Sequence, residues 1–197
     1  MSETARNIAQ TPEQIQTPEQ TQTPEQTIGP FFGYSLPYDG GQDIVDRART
    51  GATRLHGTLF DGAGEGIPDA IVEVWQADEN GAIVQEPGSI NRDGYTFTGF
   101  GRTPTDATGH YQFTTLEPGG TGGGAPFFAV VVFARGLMHK LHTRIYLPES
   151  ADADSDALLA AVEPARRATL IATREADGSL HHDIHLQGDR ETVFLAY

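Results

Sequence analysis

The sequence predicts an all-β fold, an antiparallel β-sandwich with one or two short helices and an extended N-terminal arm. Short runs of alternating or continuous apolar residues recur along most of the chain. Between them, 23 Gly and 12 Pro supply frequent turns. Only one stretch carries the spacing and capping of a helix. With 197 residues, the chain is long enough for one domain with its own hydrophobic core.

The elements follow in order. Residues 11–28 read TPEQIQ, TPEQTQ, TPEQTI. Each unit carries a Pro without an N–H among polar Gln, Thr and Glu, so neither helix nor sheet propagates through it. Residues 1–26 are therefore expected to form a flexible leader, and residues 27–197 the sandwich domain. Ile28-Gly29-Pro30-Phe31-Phe32 is a short apolar piece that needs something to pack on. Residues 42–49 (GQDIVDRA) read as a helical turn. Leu55, Gly57 and Leu59 alternate with His56, Thr58 and Phe60, and Asp61-Gly62 to Gly66 turns the chain. Ala70–Ala77 is a strand buried on most of both faces. Gly109–Thr115 alternates, with Tyr111 and Phe113 on one face. Phe127–Arg135 is a continuous apolar strand that needs cover on both sides. Leu137–Leu147, Ala168–Arg174 and Leu180–Gln187 complete six or seven strands. The helix is Ser155–Val162, opened by an Asp or Ser cap and closed by Pro164.

Charge and composition exclude several functions. The formal charge is −14, from 27 acidic and 13 basic residues, which disfavours nucleic acid and anionic lipid as partners. The same field repels small anionic substrates, so a carboxylate ligand requires a specific Arg. There is no Cys, hence no disulfide scaffold and no thiolate site, and a cytoplasmic location is expected. No run approaches the roughly 18–20 apolar residues of a membrane span. MSETARNIAQ lacks the apolar core of a secretory signal.

Candidate chemistry is sparse. His139 and His142, three apart on a predicted strand, point to opposite faces and cannot share a metal simply. His181, Asp183 and His185 share a face at period two, but in a polar stretch that reads as a solvated strand face. No HExxH, GxSxG or P-loop pattern occurs. Gly119–Gly124 is Gly-rich yet leads into a strand, so no helix N-terminus backs a phosphate site. Arg135 stands out as a cation closing the most apolar strand, FAVVVFARG. Spacing alone leaves two readings open, a strand cap at the solvent boundary and a ligand contact.

Ile71-Val72-Glu73-Val74-Trp75-Gln76-Ala77-Asp78 is followed by Asn80-Gly81, Phe100-Gly101-Arg102-Thr103, Asp106 to Phe113 (DATGHYQF) and Pro118-Gly119. In this order the motifs resemble the intradiol ring-cleavage dioxygenases, and Thr27-Ile28-Gly29-Pro30-Phe31 is similar to that family's entrance. Phe133-Ala134-Arg135-Gly136 with His142-Thr143-Arg144-Ile145-Tyr146 resembles the α chains of the members acting on protocatechuate. The resemblance runs from about residue 27 to Tyr197.

It implies a β-sandwich oxidoreductase of aromatic catabolism that opens 3,4-dihydroxybenzoate with O₂ to 3-carboxymuconate. It also implies Fe(III) held by two Tyr and two His, the hard oxygen and nitrogen donors that ferric iron prefers. Here the resemblance puts Ile83 and Thr121 at the Tyr positions, and Val130 and Val132 at the His positions, with Phe127 at that of a family Arg. The chain is thus expected to bind no metal and to serve as an α subunit. Its partner would be a homologous iron-carrying β chain in an α–β hetero-oligomer. Gly29, Pro30 and Arg135 take the positions that border the substrate pocket. Two other readings remain, a subunit for another catechol and a transthyretin-like binding module.

Overall fold

Period-two burial along the strands assembles two sheets face to face. The computed structural model describes residues 29, 31–86, 90, 92–93, 95–151 and 156–196. The expected leader, residues 1–26, lies outside the described residues. Among the described residues nine strands are present: β1 (Thr53–Phe60), β2 (Ile71–Trp75), β3 (Phe100–Pro104), β4 (His110–Thr115), β5 (Phe127–Phe133), β6 (Leu141–Tyr146), β7 (Thr173–Arg174), β8 (Leu180–His181) and β9 (Ile184–His185). One sheet has the order β4-β1-β8-β7, with β9 also pairing β1; the other has the order β3-β2-β5-β6. The second sheet is antiparallel throughout, whereas β8 and β9 run parallel to β1.

The alternation explains the core. In β4 only Tyr111, Phe113 and Thr115 are buried, and they meet Leu55, Leu59, Leu180 and Ile184 from the same sheet. From the facing sheet come Val72, Val74, Phe128, Val130, Val132 and Ile145. Each such side chain removed from water contributes about 1.5–3 kcal/mol. The all-β prediction therefore holds.

Several local expectations are corrected. Residues 42–49 form no helix: Ile44 and Val45 are buried, and both their N–H groups donate to the Thr114 carbonyl, tying this segment to the edge of the first sheet. Helical structure comes in three pieces, α1 (Phe32–Ser35), α2 (Ala157–Ala161) and α3 (Pro164–Arg167). Asp156 caps α2 by accepting from the N–H groups of Leu158 and Leu159. Pro164 opens α3 instead of only closing its predecessor, since a Pro at the first helical turn forfeits no hydrogen bond. Ala168–Leu170 is a 3₁₀ turn, so of the expected 168–174 strand only Thr173–Arg174 forms a strand, with Ile171 bridging Tyr146 in isolation. Phe100–Pro104, unassigned from its pattern, pairs β2 across its whole length. No helix among the described residues is long and apolar enough to cross a membrane.

The expected strand 180–187 is broken at residues 182–183. His56 pairs with His181 and Leu59 with Ile184 in one register, but between them the His182 carbonyl turns in against Gly57. The bend buries His182, 4% exposed, whose ring Nε2 lies 3.0 Å from the Thr169 carbonyl. Burial pushes the His182 pKa down to about 4, helped by His181 and His185 and opposed by the Thr169 carbonyl and Asp183. A His held neutral in the fold stabilises it fully above its unfolded pKa of about 6.5. That contribution is lost as pH falls toward 4, where the unfolded chain binds the extra proton. The loss amounts to about 3 kcal/mol. Urea unfolding between pH 7 and pH 4 should show this decline, and His182→Gln, which keeps a donor for Thr169 but does not titrate, should flatten it. An unchanged pH slope in the variant would refute the assignment.

Candidate active site

The outer face of the second sheet carries the candidate site, and the register of β2 and β5 defines its two ends. Ile71 pairs with Phe133 and Pro104 at one end, Trp75 with Ala129 and Phe100 at the other. Between them Glu73 faces Arg102, an acid in a buried strand that requires a partner. Arg102 donates through Nε to Glu73 Oε1 at 2.7 Å and through Nη1 to the Leu36 carbonyl at 2.8 Å. Its guanidinium also lies 5.8 Å from the Tyr38 ring centre. Arg92 donates to the Tyr38 hydroxyl and to the Phe100 carbonyl. Together these bonds strap the segment Leu36–Gly41 across the sheet. Burial raises the Tyr38 pKa against the pull of both arginines.

At the first end Arg135 lies in the turn after β5 and lines a cleft of about 110 Å³ with Phe32, Tyr34, Asp69, Pro104 and Thr105. The Phe32 ring packs on Phe133 at 6.1 Å, which anchors α1 over the sheet. Arg135 remains 67% exposed and donates through Nη2 to Asp69 Oδ2 at 3.2 Å. Gly29 has a φ of +69°, a conformation that a side chain would strain. Pro30 lies outside the described residues.

At the second end an apolar cleft of about 200 Å³ is lined by Trp75, Ile83, Val84, Thr121, Phe127 and Ala129, among others. An Asx turn places Ile83: Asp78 Oδ1 accepts from the N–H groups of Asn80 and Ala82, and Ile83 then bridges Ala77. The ring of Phe127 is held by the Arg144 guanidinium, 3.9 Å from its centre, and Trp75 packs on Phe100 at 4.3 Å.

Ile83 and Thr121 line this cleft. Val130 and Val132 lie instead in the core between the sheets, 1% and 0% exposed, because even-numbered residues of β5 face inward. The residues of β5 that share the cleft are Phe127 and Ala129. A set of Ile, Thr, Phe and Ala does not fit an iron, since only the Thr121 hydroxyl offers a donor. Among the described residues no group of three or more His, Asp or Glu is placed to hold a metal.

Of the histidines, His181 Nε2 lies 3.2 Å from Asp183 Oδ1, while the His185 ring stacks on Phe60 at 4.9 Å, so the expected period-two row is split. His139 falls in the turn before β6, and His142 on the strand.

Sequence reasoning missed Asp69 and the Glu73–Arg102 pair. The latter was readable, because an acid inside an apolar strand signals a buried cation nearby.

A dioxygenase family model matches residues 29–188. The chain is 36% identical over 186 residues to the protocatechuate 3,4-dioxygenase alpha chain of Burkholderia cepacia, covering 85% of this chain and 93% of that one. It is 39% identical over 155 residues to the alpha chain of the same name from Pseudomonas putida, covering 73% and 75%. In fold it is similar to an intradiol ring-cleavage dioxygenase from Tetranychus urticae, with a TM-score of 0.57 at 18% identity over 76% of this chain and 86% of that one. The chain belongs to the intradiol ring-cleavage dioxygenase family, as a subunit of an oxidoreductase.

Proposed function

We propose that this chain is the iron-free α subunit of an enzyme that cleaves 3,4-dihydroxybenzoate with O₂ to 3-carboxymuconate. The ferric iron is held by a homologous β chain in an α–β hetero-oligomer. The observation that carries the reading is the apolar cleft: Ile83, Thr121, Phe127 and Ala129 line it, and among their side chains only the Thr121 hydroxyl could donate to a metal. The likeness to α chains over most of their length supports it.

In this reading the chain contributes binding and orientation only. Arg135, like Gly29 and Pro30 by their place in the family's pattern, borders the partner's substrate pocket, and Arg135 receives the ring carboxylate. The surface around it is built for a protein neighbour, since Phe31, Tyr34 and Met138 are 75%, 85% and 60% exposed. When bound, the iron supplies the oxidative chemistry; this chain excludes water and holds a charge.

Metal analysis of the full chain expressed alone should find no stoichiometric iron and no tyrosinate-to-iron colour. Co-expression with an iron-carrying homologue should yield a coloured, active heteromer. A coloured, active lone chain would overturn the reading.

A further inference from the structure

Asp69 is the one described residue other than glycine with a positive φ, +61°. Such a conformation costs a side-chain-bearing residue energy and persists only where the surroundings impose it. They do so here. The Thr105 hydroxyl, buried at 7% exposure, accepts from the Ala70 N–H at 2.9 Å and donates to the Ile67 carbonyl at 2.8 Å. The Thr105 N–H donates back to the Ala70 carbonyl at 2.9 Å. Residues on both sides of Asp69 are thereby pinned to Thr105, just past the end of β3, and the carboxylate is aimed at Arg135.

The bond it makes is an exchangeable one. Arg135 and Asp69 are 67% and 70% exposed, and a pair so placed is worth only about 0.2–1 kcal/mol. It holds the guanidinium over the cleft yet yields to a better-matched anion. We propose that Asp69 is a positioning residue that tempers the site: it keeps Arg135 over the cleft as a placeholder carboxylate, and an aromatic carboxylate takes its place on the guanidinium. This inference rests on the function proposed above and adds the internal competitor that moderates its affinity for a carboxylate. An uncharged ring has nothing with which to displace Asp69, so it gains nothing from Arg135, whereas a carboxylate-bearing ring exchanges one partner for another.

The test uses the assembled α–β enzyme. Asp69→Asn keeps a residue that tolerates a left-handed backbone, so the fold is retained and the thermal midpoint should hold. Freed from its internal competitor, Arg135 should bind the substrate carboxylate more readily. The KM for 3,4-dihydroxybenzoate should fall about two- to fivefold with kcat unchanged, and the KM for catechol should not move. Glu65→Gln, which removes a charge outside the cleft, should leave both substrates unaffected. In an Arg135→Ala background, Asp69→Asn should have no effect, because its action passes through the guanidinium.

An unchanged or higher KM in Asp69→Asn, alongside a raised KM in Arg135→Ala, would overturn the placeholder role and leave the proposed function standing. Equal effects of Asp69→Asn and Glu65→Gln would reduce Asp69 to a contributor to the overall field and would also overturn it. If Arg135→Ala itself changes nothing, the function assigned to Arg135 fails and this inference fails with it.

Discussion

Gly57→Ala should yield no correctly folded chain. Gly57 lies in the middle of β1 with its α-carbon paired to Tyr111, and the inward bend at residues 182–183 passes directly over it. A Cβ added there would sit 1.8 Å from the His182 carbonyl oxygen and 2.5 Å from its carbon. Those are backbone atoms, so the clash cannot be relieved by turning a side chain. The same carbonyl accepts the Tyr111 hydroxyl at 2.6 Å, and the neighbouring N–H of His182 donates to the His56 carbonyl at 2.8 Å. Asp183 is held too, since its Oδ1 accepts the Thr58 N–H at 2.9 Å. Moving the bend outward would break all three bonds and separate β8 and β9 from β1. Such backbone overpacking exceeds about 4 kcal/mol, against a typical domain stability of about 5–15 kcal/mol. Gly33→Ala is the control, because the added atom meets nothing nearer than 3.8 Å and the backbone is helical. Circular dichroism and soluble yield check the pair of variants; a cooperative, native-like Gly57→Ala chain would show that the bend is not fixed.

How far the sequence was legible follows from the range of the forces involved. The long strands announced themselves, because alternation in β4 and the apolar run of β5 are local patterns with one stable solution. Phe100–Pro104 did not, since Gly101 and Pro104 weaken its strand signal and its pairing with β2 is a tertiary event. The bend at His182–Asp183 was equally hidden: His181, Asp183 and His185 keep period two on paper, while Gly57 on another strand makes room for the chain to turn in.

The same limit governs the site. Motif order carried Ile83 and Thr121 to one cleft, but spacing within β5 does not say which face a residue takes. Inter-sheet packing puts Val130 and Val132 in the core and turns Phe127 and Ala129 outward. Asp69 carried no signal at all, since its φ depends on Thr105, which is distant in sequence.

Arg135→Ala should raise the KM of the proposed α–β enzyme for 3,4-dihydroxybenzoate by about two- to a hundredfold and leave kcat within about twofold. A substrate carboxylate approaches a chain of formal charge −14, so the long-range field works against its binding. One guanidinium beside the pocket reverses that locally with a charge-assisted pair worth about 1.5–3 kcal/mol. Giving up Asp69 returns less than about 1 kcal/mol of it, because that pair is exposed to solvent. The net, about 0.5–2.8 kcal/mol, is from under half a decade to about two decades of affinity. The loss falls on KM because the carboxylate does not change charge during ring opening, so ground and transition states keep the contact alike. Catechol, which lacks the carboxylate, should be turned over by Arg135→Ala as by the parent. Arg135→Lys restores charge without the planar fork and should recover only part of the affinity. Steady-state kinetics on both substrates decide the matter: equal losses on the two would make Arg135 a structural residue, and no loss on either would make it a cap on the end of β5.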